Sequence, residues 1–158
     1  MKLRSKILLI IGVIINIFIW TNSLLPASVS SSQSGFVADI LYPPFEDIVE
    51  VNKFSQIIRK LAHFTEFMFL GIVFCLFYLS IGKNKYYFIT LIHGLIVAII
   101  DETIQLFIPG RAGLITDVLI DTSGVLFGIL LIVLTKLIIY GKILKDKKKI
   151  KGVQYGRK

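Results

Sequence analysis

Residues 118–140 read VLIDTSGVLFGILLIVLTKLIIY, and this stretch decides the fold. At a helical rise of about 1.5 Å per residue, a run of this length crosses a hydrocarbon core of about 30 Å. Its apolar residues do not alternate with polar ones, so it reads as a helix and not as a barrel strand. Three runs of the same character precede it: Ile7 to about Leu25, Leu61 to Ile81, and Tyr86 to about Ile108. The expected fold is therefore all-α, a polytopic membrane bundle of four transmembrane helices. Composition agrees. Of 158 residues, 55% are hydrophobic and 18% charged, where a soluble domain carries about a quarter charged. That excess excludes an ordinary soluble enzyme and a disordered tail. A lone cysteine, Cys75, excludes a disulfide scaffold.

The formal charge of +8 is unevenly placed. Lys2, Arg4 and Lys6 precede the first run, Lys83 and Lys85 link the second and third, and nine basic residues from Lys136 to Lys158 close the fourth. The opposite side holds Lys53, Arg59, Lys60 and Arg111 with most of the acids. The positive-inside rule then places both termini in the cytoplasm and residues 26–60 and 109–117 outside. The basic start and small-residue Pro26-Ala27-Ser28 also fit a signal peptide. Leu24 and Leu25 make a poor cleavage site, so a first span is expected. Residues 1–141 form the membrane domain on this reading, and 142–158 a basic cytoplasmic tail. Beside a membrane helix, that tail suits anionic lipid headgroups, at about 1 kcal/mol per basic residue, and no nucleic-acid partner is expected.

Within the outer segment, Ser28 to Gly35 reads as a Ser-rich linker without periodicity. After Pro43-Pro44, apolar residues recur at Phe45, Ile48, Val49, Phe54, Ile57, Ile58 and Leu61, with Glu46, Asp47, Glu50 and Lys53 between them. Pro44 suits a helix start. This stripe predicts either a helix lying flat in the headgroup region or an extended cap over the helix ends.

The informative residues are the charges inside the apolar runs: Arg59, Lys60, His63 and Glu66 in the second, and Asp101 and Glu102, followed by Gln105, in the third. Arg111 lies in the turn, and Asp117 and Asp121 open the fourth. A carboxylate at a helix centre costs about 2.5–3.5 kcal/mol on insertion scales, so several in one chain must face each other or water. By helical rise, Glu66 lies about 7–8 Å and Asp101 about 10 Å from the nearer ends of their runs. Three segments thus bring charge to one level in the outer third of the bilayer. Faces agree too. Arg59, His63 and Glu66 recur at i, i+4, i+7, and Asp117, Asp121, Gly124 and Gly128 form another stripe whose glycines permit close helix approach. Two readings follow: a structural ion-pair network fixing helix register, or a functional pocket. His93, deeper in the third run, reads as a packed neutral histidine.

His63 and Glu66 at i, i+3 offer two metal ligands, which Asp101 or Glu102 would complete. No second His-containing motif or thiolate pair accompanies them, so neither a metal nor another cofactor is expected. No nucleophile elbow or phosphate loop is present.

At these same residues the chain resembles the VanZ-like family of bacterial membrane proteins. The resemblance is carried by Lys60-Leu-Ala-His63-Phe64-Thr-Glu66-Phe67 with Leu70-Gly71, by Asp101-Glu102-Thr-Ile-Gln105-Leu-Phe107-Ile-Pro109-Gly110-Arg111, and by Asp117-Val118 with Gly124 and Gly128. The family more commonly has Asn where this chain has Asp121. The resemblance implies a small multi-helix protein of the bacterial cytoplasmic membrane, in a family some of whose members lower susceptibility to lipidated glycopeptide antibiotics such as teicoplanin. It brings no established reaction or cofactor.

The expected function is a non-enzymatic pocket that takes a lipid headgroup, a lipid-linked cell-wall precursor or a lipoglycopeptide. Lys60 and Arg111 would meet anionic groups there, and Glu66, Asp101 and Glu102 would position them. Two alternatives use the same groups: an acid/base enzyme built on His63 and one carboxylate, and a proton-coupled carrier. Against the carrier, four spans with few polar residues through the inner half offer no complete path in one subunit.

Overall fold

A computed structural model describes residues 1–45 and 47–155 of the chain, with side-chain surroundings through residue 143. Glu46 and the tail side chains beyond Ile143 lie outside the described residues, so the expectations for them stay as they are. The elements are α1 (Leu3–Ser23), α2 (Ala27–Leu41), a 3-10 turn (Pro43–Phe45), α3 (Val51–Ser80), α4 (Tyr86–Gln105) and α5 (Ile115–Tyr155). Among the described residues there is no strand. Among the described residues, four helices are long and apolar enough to cross a membrane: α1, α3, α4 and Ile115–Ile143 of α5.

Helix α3 is the central element and packs against α1, α2, α4 and α5. Ile19, Phe67, Leu70, Phe74, Cys75, Val97, Ala98, Val125 and Ile129 form the shared core. Facing outward are Ile10, Ile14 and Phe18 of α1, Ile92 and Ile96 of α4, and Leu130 and Leu134 of α5. A helix apolar on both its packed and its exposed faces belongs in lipid. The tightest contact joins α3 to α5. A Cβ at Gly71 would fall on the backbone of Val125, one at Gly124 on the Phe64 carbonyl, and one at Gly128 on the Met68 carbonyl. Small residues at these positions let the two backbones touch, and dispersion then does what hydrophobic burial cannot do in lipid.

Contacts at the helix ends fix the relative directions. Ser80 Oγ of α3 donates to Ser5 Oγ of α1 at 2.9 Å, and Ser23 of α1 meets Asp101 of α4. Lys136 Nζ of α5 reaches the Tyr86 hydroxyl at the start of α4 and lies 4.7 Å from that ring's centroid. Helices α1 and α4 therefore run toward one end of the bundle, and α3 and α5 run away from it. The chain enters and leaves at the same end, which carries Lys2, Arg4, Lys6, Lys83, Lys85 and Lys136. The other end gathers the ionisable side chains and is called the polar end below.

Two expectations are corrected. Residues 28–35 are not a linker: they lie inside α2, which begins after Pro26. Its buried residues, Ser30, Ser34 and Ala38, recur every four positions and form one face. The Ser34 hydroxyl bonds to the Ser30 and Ser31 carbonyls and lies 3.1 Å from Ser55 Oγ of α3. Small hydroxyl residues thus pack helix on helix with no apolar periodicity to announce it. Nor does a helix start at Pro44. Pro43–Phe45 is a 3-10 turn, and α3 begins at Val51 and runs unbroken through what was read as the start of the second span. Residues 51–60 are its first turns and not a separate flat helix. The Tyr42 hydroxyl donates to the Val49 carbonyl at 2.8 Å and Phe45 stacks on Phe54, holding the connection against α3.

Candidate functional site

The ionisable residues singled out in the sequence, His93 excepted, lie at the polar end, but they do not share one role. A cavity of about 190 Å³ opens there, lined by Arg59, Lys60, His63, Gln105, Arg111, Asp117 and Asp121 together with Gly110, Ala112, Leu114 and Ile120. A smaller one of about 80 Å³ lies beside it between α1, α2 and α3. It shares Arg59, His63 and Arg111 with the first and adds Glu66, Asn22, Gln33 and Ser34. Asp101 and Glu102 line neither cavity.

The two α4 carboxylates are held by neutral donors. Asp101 has no exposed surface. Its Oδ1 accepts from the Ser23 hydroxyl at 2.5 Å and its Oδ2 from Gln105 Nε2 at 3.0 Å. Glu102 points roughly 100° away from Asp101 around the helix and turns to the α4–α5 loop. There its Oε2 accepts the Leu114 N–H at 2.8 Å, and Gln105 Nε2 lies 3.4 Å from its Oε1. On α3, Glu66 accepts from Asn22 Nδ2 at 3.2 Å.

Ion pairs at this end are few. Among the described residues, Lys60 Nζ lies 3.5 Å from Asp117 Oδ1, with the lysine side chain 43% exposed. His63 Nδ1 lies 3.8 Å from Asp121 Oδ1. Arg111 makes neither pair: its Nη2 donates to the Asn22 carbonyl at 3.1 Å, and its buried Nε has no hydrogen-bond partner. Asp121 is 1% exposed, and both its oxygens also lack one. The ion-pair network read from the sequence therefore reduces to one half-exposed pair and one long histidine contact. Burial, and next the nearby Arg59, push the Arg111 guanidinium below its ordinary pKa, while Asp101 and Glu102 work the other way.

Arg111 is placed by its loop. Its N–H donates to the Ile108 carbonyl at 3.1 Å, closing a turn over Pro109 and Gly110. Gly110 has φ +77°, as the third residue of a type II turn requires. The Pro109 carbonyl accepts the Ala27 N–H at 3.4 Å and ties the loop to the start of α2.

The sequence reading missed α1. Asn22 and Ser23 bond Glu66, Arg111 and Asp101, and the polar run Thr21-Asn22-Ser23 closing an apolar helix was the available signal. His93 is elsewhere: its Nδ1 lies 2.9 Å from the Tyr78 hydroxyl and its ring packs 3.9 Å from that of Phe74.

No curated protein and no solved structure matches the chain. A family model described as VanZ/LLP1 matches residues 7–138, which reach into all four apolar helices and include every site residue above. The chain is a multi-pass membrane protein, and it belongs to the VanZ/LLP1 family.

Proposed function

We propose that this chain works in the bacterial cytoplasmic membrane with both termini in the cytoplasm, and that its polar end binds an anionic lipid headgroup from the outer leaflet. The observation that carries this reading is the cation set on the larger cavity. Arg59, Lys60 and Arg111 all line it, and the Arg111 Nε is a buried donor with no acceptor. Asp101 and Glu102 accept from Ser23, Gln105 and Leu114, and among the described residues no carboxylate lies within ion-pair distance of Arg111. An anion in the cavity would satisfy that donor and offset the repulsion between Arg59 and Arg111. The basic charge at the opposite end supports the orientation.

Size narrows the ligand. At about 190 Å³, the cavity exceeds the roughly 150 Å³ that holds a benzene ring in an engineered protein, yet falls below the roughly 300–1,000 Å³ of drug-sized sites. A phosphoryl headgroup with some water fits, and a whole lipoglycopeptide does not. Any effect on teicoplanin susceptibility then runs through an envelope lipid or lipid-linked precursor, not through capture of the drug.

The test is lipid retention. Protein purified from nanodiscs containing phosphatidylglycerol and phosphatidylcholine should keep the anionic lipid in native mass spectrometry. A charge-assisted bond is worth about 1.5–3 kcal/mol, so Arg111→Ala should weaken retention roughly 10- to 100-fold. Equal retention by wild type and variant at equal protein levels would refute the reading.

A further inference from the structure

We infer that His63, Asp101 and Asp121 form a binding site for one divalent first-row transition cation, Zn²⁺ or Mn²⁺, inside the polar end of the bundle. The three residues come from α3, α4 and α5, and one donor atom from each lies within 4.8 Å of the other two. Around a metal at about 2.0–2.2 Å from each ligand, donor atoms stand roughly 3–4 Å apart. Small side-chain rotations close the difference.

Three further observations point to a cation. Asp121 is 1% exposed, and among the described residues neither of its carboxylate oxygens has a hydrogen-bond partner. A buried carboxylate with no donor is costly, and a metal ion supplies what the protein does not. Asp101 carries the outer support usual for a ligating carboxylate: Ser23 and Gln105 hydrogen-bond its two oxygens and fix its orientation. Charge agrees with it. Two buried carboxylates share this spot, and among the described residues neither lies within ion-pair distance of a lysine or arginine. A dication balances the two together.

The ligand chemistry selects the metal class. One imidazole and two carboxylates, with no thiolate, suit Zn²⁺ or Mn²⁺ better than a soft ion. His63 and Asp121 also line the larger cavity, so coordination positions left open by three protein ligands face it. Metal binding does not rest on the headgroup reading.

The experiment uses the full chain in detergent, stripped with EDTA, reloaded with ZnCl₂ or MnCl₂ and desalted. Elemental analysis should find about one metal per wild-type chain, and the metal should raise the thermal unfolding midpoint. Asp121→Asn, which preserves shape, and His63→Ala should both lose the metal and the thermal shift. Arg111→Ala should retain both, which separates this site from the anion pocket. Wild-type protein that binds no more metal than Asp121→Asn would overturn the assignment, as would an Asp121→Asn protein that still shows the full shift.

Discussion

The Ser23 hydroxyl at the end of α1 donates to Oδ1 of Asp101 on α4 at 2.5 Å, and neither residue has more than a trace of exposed surface. This bond joins two helices that run the same way and anchors the first span at the polar end. Interhelical hydrogen bonds in membrane proteins contribute about 0.6 kcal/mol on average and up to about 1.7. Ser23→Ala should therefore cost roughly 0.6–1.7 kcal/mol, seen as a lower midpoint in detergent unfolding. A midpoint equal to wild type would show that the bond does not hold α1.

Glu102 should act as a latch on the α4–α5 loop through the Leu114 N–H. Glu102→Gln keeps an acceptor oxygen and should keep the loop ordered, whereas Glu102→Ala should not. Hydrogen exchange at the Leu114 amide is the measurement: fast in the alanine variant, slow in the glutamine one. Similar exchange in both variants would remove the latch.

At the α3–α5 contact the expectation is severe. Gly124→Ala and Gly128→Ala each place a methyl on a backbone carbonyl of α3, which cannot move aside as a flexible side chain does. Overpacking of this kind costs roughly 1–3 kcal/mol. Both should lower thermal stability, and Gly141→Ala, with open space around it, should not.

The Lys60–Asp117 pair behaves differently. With the lysine 43% exposed at 3.5 Å from its partner, solvent screens it and the coupling should stay below about 1 kcal/mol. A double-mutant cycle on Lys60→Ala and Asp117→Ala measures it. Lys60→Ala should weaken anionic-lipid retention while leaving unfolding nearly unchanged.

Orientation can be read chemically. Phe107 is 82% exposed in the polar-end loop, and Cys75 is fully buried, so the native thiol should stay silent. Phe107→Cys should react with a membrane-impermeant maleimide on intact cells, and Lys83→Cys only after permeabilisation. The reverse pattern would invert the topology.

The spans were legible because a bilayer demands long apolar helices and little else shares that signature. That Glu66, Asp101 and Asp121 bring charge to one end of the bundle was legible from depth, since each sits near a run's end. Helix α2 was not legible, because its packed face is Ser30, Ser34 and Ala38, and small hydroxyl residues leave no hydrophobic pattern. The support from Asn22 and Ser23 was hidden for a different reason: it is made across more than forty residues of chain, to Glu66, Asp101 and Arg111. No local spacing reveals such partners. The same holds for the three proposed metal ligands, one on each of three helices.

The glycine contacts of α3 and α5 carry a mechanical consequence. Helices whose backbones touch at Gly71, Gly124 and Gly128 leave no space between them, and together they supply Arg59, Lys60, His63, Asp117 and Asp121 to the cavity. The remaining lining comes chiefly from the 106–114 loop, which is tied to Glu102 through Leu114 and to Ala27 through Pro109.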